Sequence, residues 1–251
     1  MTEVSDPWIL AFVAAVFLAA GAIKGVVGIG LPTASVGMMS QVLDPRLAIA
    51  LAVFPSLISN AWQILRTGQP LAAVRRFWVY LICLMGTIFL VSLTLTATIR
   101  TELLILALGC VILVFSVMSL AWQPPFLPAR YDRAGQMVSG LTSGFMGGLT
   151  GIWAPAMVPY LMARRLDPDT FMRATGVMIF FGTIPLIAGY WQTGMITAAT
   201  SLVGLIMVIP AVAGFALGER VRRHLDAEKF RKVVLWVFLA MGLNLIRRAL
   251  L

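Results

Sequence analysis

The sequence predicts an all-α integral membrane protein made of two related halves, on the basis of its composition, its apolar segments and an internal duplication. Of the 251 residues, 60% are hydrophobic and 12% are charged, and the mean hydropathy is +0.95. Apolar residues, glycine included, make up about half of an average soluble domain. The apolar residues suffice for about seven or eight bilayer-spanning helices of about 20 residues each. No sizeable soluble domain fits beside them.

The excess of basic residues indicates membrane insertion. The formal net charge is +9, but the bases flank the apolar runs, as in membrane proteins whose cytoplasmic loops carry more Lys and Arg. If the acidic N-terminus around Glu3 lies outside, thirteen bases fall on the cytoplasmic side and four on the other. We therefore expect a multi-pass protein of the cell membrane whose partners are the lipid bilayer and a small anionic substrate, without nucleic acid, cofactor or metal. The oligomeric state is not predicted.

Ten apolar segments divide into five, a linker and five. The linker, residues 123–134, contains three prolines, which prevent a helix, and charges that keep it in water. We expect a first repeat over 1–122, a cytoplasmic linker over 123–134 and a second repeat over 135–251. The second segment of each half is too short to cross a bilayer comfortably, so about eight full transmembrane helices plus two short helices, broken spans or re-entrant segments, are predicted. The segments lie near 8–27, 31–43, 46–65, 77–98, 101–122, 135–152, 154–163, 169–192, 195–217 and 233–250.

The two halves align without a gap at an offset of 123 residues, with nine identities in 25 positions. Chance alignment of glycines and prolines is the alternative, but the contiguous triplets 43–45 and 166–168, both Leu-Asp-Pro, argue against it. An odd number of segments in each half makes the second half start on the opposite side of the membrane. The prediction is therefore a pair of inverted repeats, an architecture of many secondary transporters.

Each short segment follows a break rich in glycine. Backbone without helical partners at membrane depth must be buried in protein or line a cavity, and helix N-termini placed there bind anions. Pro32 and Pro155 suit the first turns of the short helices. We expect Gly28, Gly30 and Gly151 to line a substrate site beside these prolines. A packing role is the alternative, which the small-xxx-small spacing favours for Gly21, Gly25, Gly144 and Gly148.

Four further residues are candidates for substrate contact. Lys24 is the one lysine deep in an apolar run, and a charge there costs at least about 2.5–3.5 kcal/mol. An anionic substrate would neutralise it, whereas the alternative is that its long stem reaches an interface. Asn60 and Thr183 either contact substrate or form hydrogen bonds between helices. Trp153, which replaces Gly30 in the second half, either gates the site or is an ordinary buried aromatic residue.

An enzyme is the rival from another functional class. Ser143 lies in an apolar segment, but a nucleophilic serine needs a base. The only histidine, His224, lies in the charged loop 218–232. We therefore predict that the chain is not an enzyme, with an anion channel or a membrane scaffold without transport as the alternatives to a transporter.

The breaks carry a resemblance to a known family. Residues 21–32 read G-x-x-x-G-x-x-G-I-G-L-P and residues 144–155 read G-x-x-x-G-x-x-G-I-W-A-P. With the duplication, these motifs resemble the TauE/SafE family of sulfite and organosulfonate exporters, also called the toluene sulfonate uptake permease family. The resemblance implies a permease for small organic or sulfur-containing anions such as sulfite or a sulfonate.

Overall fold

The computed structural model describes residues 6–96, 98–222 and 224–251 of the chain, and its regular elements are all helices. This confirms the predicted all-α class. Glu3, expected outside the cell, lies beyond the described residues. The helices are α1 (Pro7–Val27), α2 (Leu31–Met39), α3 (Pro45–Thr67), α4 (Pro70–Arg76), α5 (Trp78–Thr94), α6 (Thr101–Ala121), α7 (Asp132–Thr150), α8 (Ala154–Ala163), α9 (Pro168–Gln192), α10 (Ala198–Ile206), α11 (Val208–Val221) and α12 (Ala227–Leu250).

Six stretches of the described chain are long and apolar enough to cross a membrane: α1, α3, α6, α9, α10 with α11, and α12. The pair α4 and α5, bent by 83°, would make a seventh. Helix α7 has 19 residues but starts with charged residues and is rich in glycine and serine, which lowers its hydropathy. As predicted, α2 and α8 are short, with 9 and 10 residues.

Several helix boundaries differ from the sequence prediction, three of them at a change in the course of the chain. Helix α7 begins at Asp132, inside the predicted linker, because the linker has no proline after Pro128 and an acidic residue in the first turn complements the helix dipole. The segment predicted over 195–217 is interrupted at Met207, three residues before Pro210, which cannot donate a helical hydrogen bond. The segment predicted over 77–98 meets α4 at a sharp bend.

Aspartates begin four of the long helices. Asp6, Asp44, Asp167 and Asp226 accept backbone N–H groups at the starts of α1, α3, α9 and α12. The amides of Thr170 and Lys229 accordingly hold the pKa of the Asp167 and Asp226 carboxyls below its ordinary value. The repeated Leu-Asp-Pro triplet is therefore a helix start, with the aspartate as N-cap and the proline at the first helical position.

Glycines let two pairs of helices pack closely. A Cβ added at Gly21 or Gly25 of α1 would collide with the backbone of α11, and one added at Gly144 or Gly148 of α7 would lie 3.0 Å from backbone oxygens of α5. The packing interpretation of these four glycines therefore agrees with the structure. In chain order, α7 of the second half is the counterpart of α1, and α11 is the counterpart of α5. The contact of α1 with α11 is therefore equivalent to that of α7 with α5, while α3 packs against its counterpart α9 and α6 against its counterpart α12.

We expect Gly21→Val to reduce the amount of folded protein in the membrane severalfold, because its side chain would overlap the Ala211 carbonyl and the Phe215 amide. Gly86→Val is the matched control, since Gly86 is a helical glycine with no neighbour within 4 Å of its Cβ position. Quantitative immunoblots of membranes measure both variants. Equal abundance of Gly21→Val and wild type would contradict close packing.

Candidate functional site

The short helices α2 and α8 begin beside one another inside the bundle. Pro32 and Pro155 occupy their first turns, as predicted. Their N-cap residues, Gly30 and Trp153, supply no side-chain hydrogen bond, and neither first turn contains an acidic residue. The first turn of a helix has N–H groups without intrahelical partners. Acidic residues compensate these groups at the starts of six other helices, α1, α3, α6, α7, α9 and α12.

Two small cavities lie between the breaks, and we call them the break cavities. Pro32 and Trp153 line both of them; Gly30 lines one, and Gly151 and Thr183 line the other. The structure thus brings together five of the nine predicted site residues. Each cavity has a volume of about 10 Å³, which is room for about one water molecule.

The other four predicted residues lie outside the linings of the break cavities. Pro155 is buried in the first turn of α8. The N–H of Gly28 donates to the Lys24 carbonyl over 2.7 Å, and a Cβ at Gly28 would lie 2.5 Å from the Met172 sulfur. Gly28 therefore ends α1 and contacts α9, with its amide already bonded.

Lys24 is 1% exposed and does not extend to an interface. Its Nζ donates to Asn60 Oδ1 over 2.8 Å and to Ser59 Oγ over 3.2 Å. It also lies 5.9 Å from the centre of the Phe215 ring. Among the described residues no carboxylate lies within 4.0 Å of it, because none of the ion pairs there includes Lys24. Its partners in the structure are therefore neutral.

A polar stripe on α3 links Lys24 to the break cavities. Ser56, Asn60 and Gln63 follow helical spacing and are all buried. Asn60, which accepts from Lys24, donates through Nδ2 to the Ser56 carbonyl over 2.6 Å. Ser56 lines the cavity that contains Gly151 and Thr183.

Ser56 is a candidate that the sequence analysis missed. It is 3% exposed, and its hydroxyl has no hydrogen-bond partner among the described residues. A buried hydroxyl without a partner costs free energy, which makes its position at a cavity informative. Its spacing of four residues before Asn60 is the signal that could have identified it.

Trp153 and Thr183 are both buried at the cavities. The Thr183 hydroxyl donates to the Ile179 carbonyl over 2.7 Å. The Trp153 ring lies over Gly147, where an added Cβ would be 2.5 Å from Cε3. At the offset of 123 residues, Gly147 corresponds to Lys24 and Trp153 to Gly30. In the first half the large residue therefore precedes the break and a glycine lies within it, whereas in the second half a glycine precedes the break and the large residue lies within it.

The residues that suggested an enzyme lie apart. Ser143 donates weakly to the Trp153 carbonyl over 3.4 Å, whereas His224 borders an outer groove with Arg66 and Glu219. In the described ranges, no group of three His, Cys, Asp or Glu side chains could hold a metal ion.

Comparisons with known proteins identify relatives of the chain. The sequence model of the family described as "Sulfite exporter TauE/SafE" matches residues 13–245. A protein of Cupriavidus necator named "Probable sulfite/organosulfonate exporter TauE" is 27% identical over 150 residues, which is 59% of this chain and 57% of that protein. The chain thus matches little more than half the length of this relative. No solved structure matches the chain.

Proposed function

The chain belongs to the sulfite exporter TauE/SafE family, and we propose that it is a secondary transporter that binds small sulfur-containing or organic anions between the starts of α2 and α8. The family is one of membrane transporters, which confirms the predictions of a multi-pass membrane protein and of a protein that is not an enzyme. The match to a relative named as a sulfite/organosulfonate exporter supports this substrate class.

The observation that supports this proposal most directly is the meeting of two helix N-termini without side-chain caps at the break cavities. One of these cavities is lined by a buried hydroxyl that has no hydrogen-bond partner among the described residues. The N-terminus of each helix is equivalent to roughly half a positive elementary charge. Gly30, Gly151 and Trp153 bring backbone close to the cavities, and Ser56 offers a free hydroxyl. An anion between the helix ends would accept these hydrogen bonds.

Lys24 supplies the remaining positive charge in this proposal. It acts through Asn60, which bonds to it and to the backbone of Ser56. An anion beside Ser56 would be the nearest available counter-charge, since the structure provides Lys24 with neutral partners only. The lysine thus favours anions over cations and neutral solutes.

We place this site between inverted repeats with eight full spans, including α7 and the bent pair α4 and α5, in which the short segments containing α2 and α8 return the chain across the membrane so that each half makes five passes. Support comes from the gapless duplication and from the equivalent contacts of α1 with α11 and α7 with α5. A sulfonate is larger than the single water molecule that each break cavity can hold, so α2 and α8 must move apart during transport. Equivalent movements in the two halves would open the site to each side in turn.

Flux of labelled sulfite, an alkyl sulfonate and a carboxylate into liposomes containing the purified protein tests the function. We expect saturable flux of the sulfur anions and mutual competition between them. Flux that does not saturate would indicate the alternative of a channel, and no flux of any anion would indicate a scaffold. Imposed proton gradients should have little effect on a permanently ionised sulfonate, because the acidic residues of the described helices lie near helix ends.

A further inference from the structure

A larger cavity extends from the Gly30 break toward the start of α12. Its volume is about 50 Å³, and residues of α1, α6, α8 and α12 line it. Ile29 and Gly30 line both this cavity and one of the break cavities. The two spaces therefore adjoin at the backbone of the first break, and we call the larger one the α12 cavity.

Most of the α12 cavity is apolar, and its charged residue is Arg231. The guanidinium donates to the Ser119 carbonyl of α6 over 3.3 Å. None of the ion pairs in the described chain includes Arg231, whereas the neighbouring Lys232 pairs with Glu228 over 3.1 Å. Arg231 thus has free donors at the edge of an apolar space.

The space that corresponds to the α12 cavity in the second half lies between α2, α6 and α12, and side chains fill it. Around Gly37 of α2, an added Cβ would lie 2.7 Å from Met241 of α12 and 3.1 Å from Ile112 of α6. The Trp153 ring fills the space beside the second break. Beside the first break, Gly30 has no side chain, and the nearest atom to its Cβ position is 3.9 Å away on Ile23.

We propose that the α12 cavity is the cytoplasmic branch of the substrate path and that Arg231 is the residue at its mouth that selects anions. This inference rests on the proposed transport function. A guanidinium binds sulfonate, sulfite or carboxylate oxygens through charge-assisted hydrogen bonds. The start of α12 lies in the base-rich loop region that the sequence predicts to be cytoplasmic, so Arg231 would contact anions arriving from that side.

Arg231→Gln tests the selection, with Lys232→Gln as the matched control that removes a neighbouring charge outside the cavity. Concentration-dependent sulfite flux is measured from each side, using proteoliposomes in which one protein orientation is inactivated. We expect Arg231→Gln to raise the half-saturating concentration about tenfold on the cytoplasmic side only, the loss of about 1.4 kcal/mol of binding free energy. Equal changes on both sides, or none, would overturn the proposal.

A labelling experiment tests the path without requiring transport. Ser119→Cys is introduced after replacement of Cys83 and Cys110, and inside-out vesicles are treated with anionic sulfonatoethyl or cationic trimethylammonioethyl methanethiosulfonate. We expect the anionic reagent to react faster and Arg231→Gln to abolish this preference. Reaction without charge preference would refute the role of Arg231, and absence of reaction would refute the path. Normal labelling with no sulfite flux would instead indicate that the proposed transport function is wrong.

Discussion

Gly151→Val is expected to lower anion flux by about two orders of magnitude while leaving the protein in the membrane. Gly151 has φ +71°, and its Cβ position lies 3.1 Å from Ile49 Cγ2, within the lining of a break cavity. A valine there would occupy the cavity and hold the backbone away from an anion. Losing about 3 kcal/mol of transition-state stabilisation corresponds to a roughly hundredfold loss of flux.

Gly194→Val separates this effect from backbone strain. Gly194 has φ +73° in the connection between α9 and α10, with nothing within 4 Å of its Cβ position. The two variants therefore carry similar strain, but only Gly151→Val fills a cavity. Flux and membrane abundance are measured on the same preparations, with Gly151→Ala as a smaller change. Equal flux losses in the Gly151 and Gly194 variants would remove Gly151 from the site.

Lys24→Met is expected to weaken anion transport and to stabilise the protein. Loss of the buried charge should raise the half-saturating sulfite concentration about tenfold, because the positive charge that acts through Asn60 no longer favours the anion, and tenfold corresponds to about 1.4 kcal/mol of binding free energy. A buried cation without a charged partner costs several kcal/mol. The substitution leaves Asn60 Oδ1 and Ser59 Oγ without the lysine donor, at a cost of about 1–3 kcal/mol each. Ser59 keeps one hydrogen bond, because its hydroxyl still donates to the Ser56 carbonyl over 3.2 Å, so removal of the charge should dominate.

Thermal unfolding in detergent and concentration-dependent flux together test this prediction. Lys229→Met is the matched control, because the Lys229 side chain is 85% exposed and its removal should change neither quantity. Lys24→Arg should be milder in flux, since it keeps the charge. A lower unfolding temperature in parallel with lost flux would assign Lys24 a structural role, and unchanged flux would exclude it from the site.

The local features of this protein follow from neighbouring residues, and the sequence alone predicted them. The all-α membrane class follows from composition, and the starts of α2 and α8 from Pro32 and Pro155. Each of these features depends on covalent neighbours or on one helical period, so a linear pattern is enough.

The division of roles among the glycines required the tertiary structure. Gly28 and Gly30 are two residues apart in the same break, yet Gly28 contacts Met172 whereas Gly30 opens onto two cavities. Which side of a break faces protein and which faces a cavity depends on helices distant in sequence. Spacing therefore predicts a break without predicting its lining.

Ser56 and Arg231 were found only from the folded chain. A serine in an apolar helix usually bonds to the carbonyl of the preceding turn, and an arginine near a helix start is usually a loop charge of the positive-inside bias. Contacts with α2, α8 and α6 distinguish these two residues from such ordinary cases. Helix packing decides which polar groups retain free hydrogen-bonding capacity, because that capacity depends on every neighbour in space.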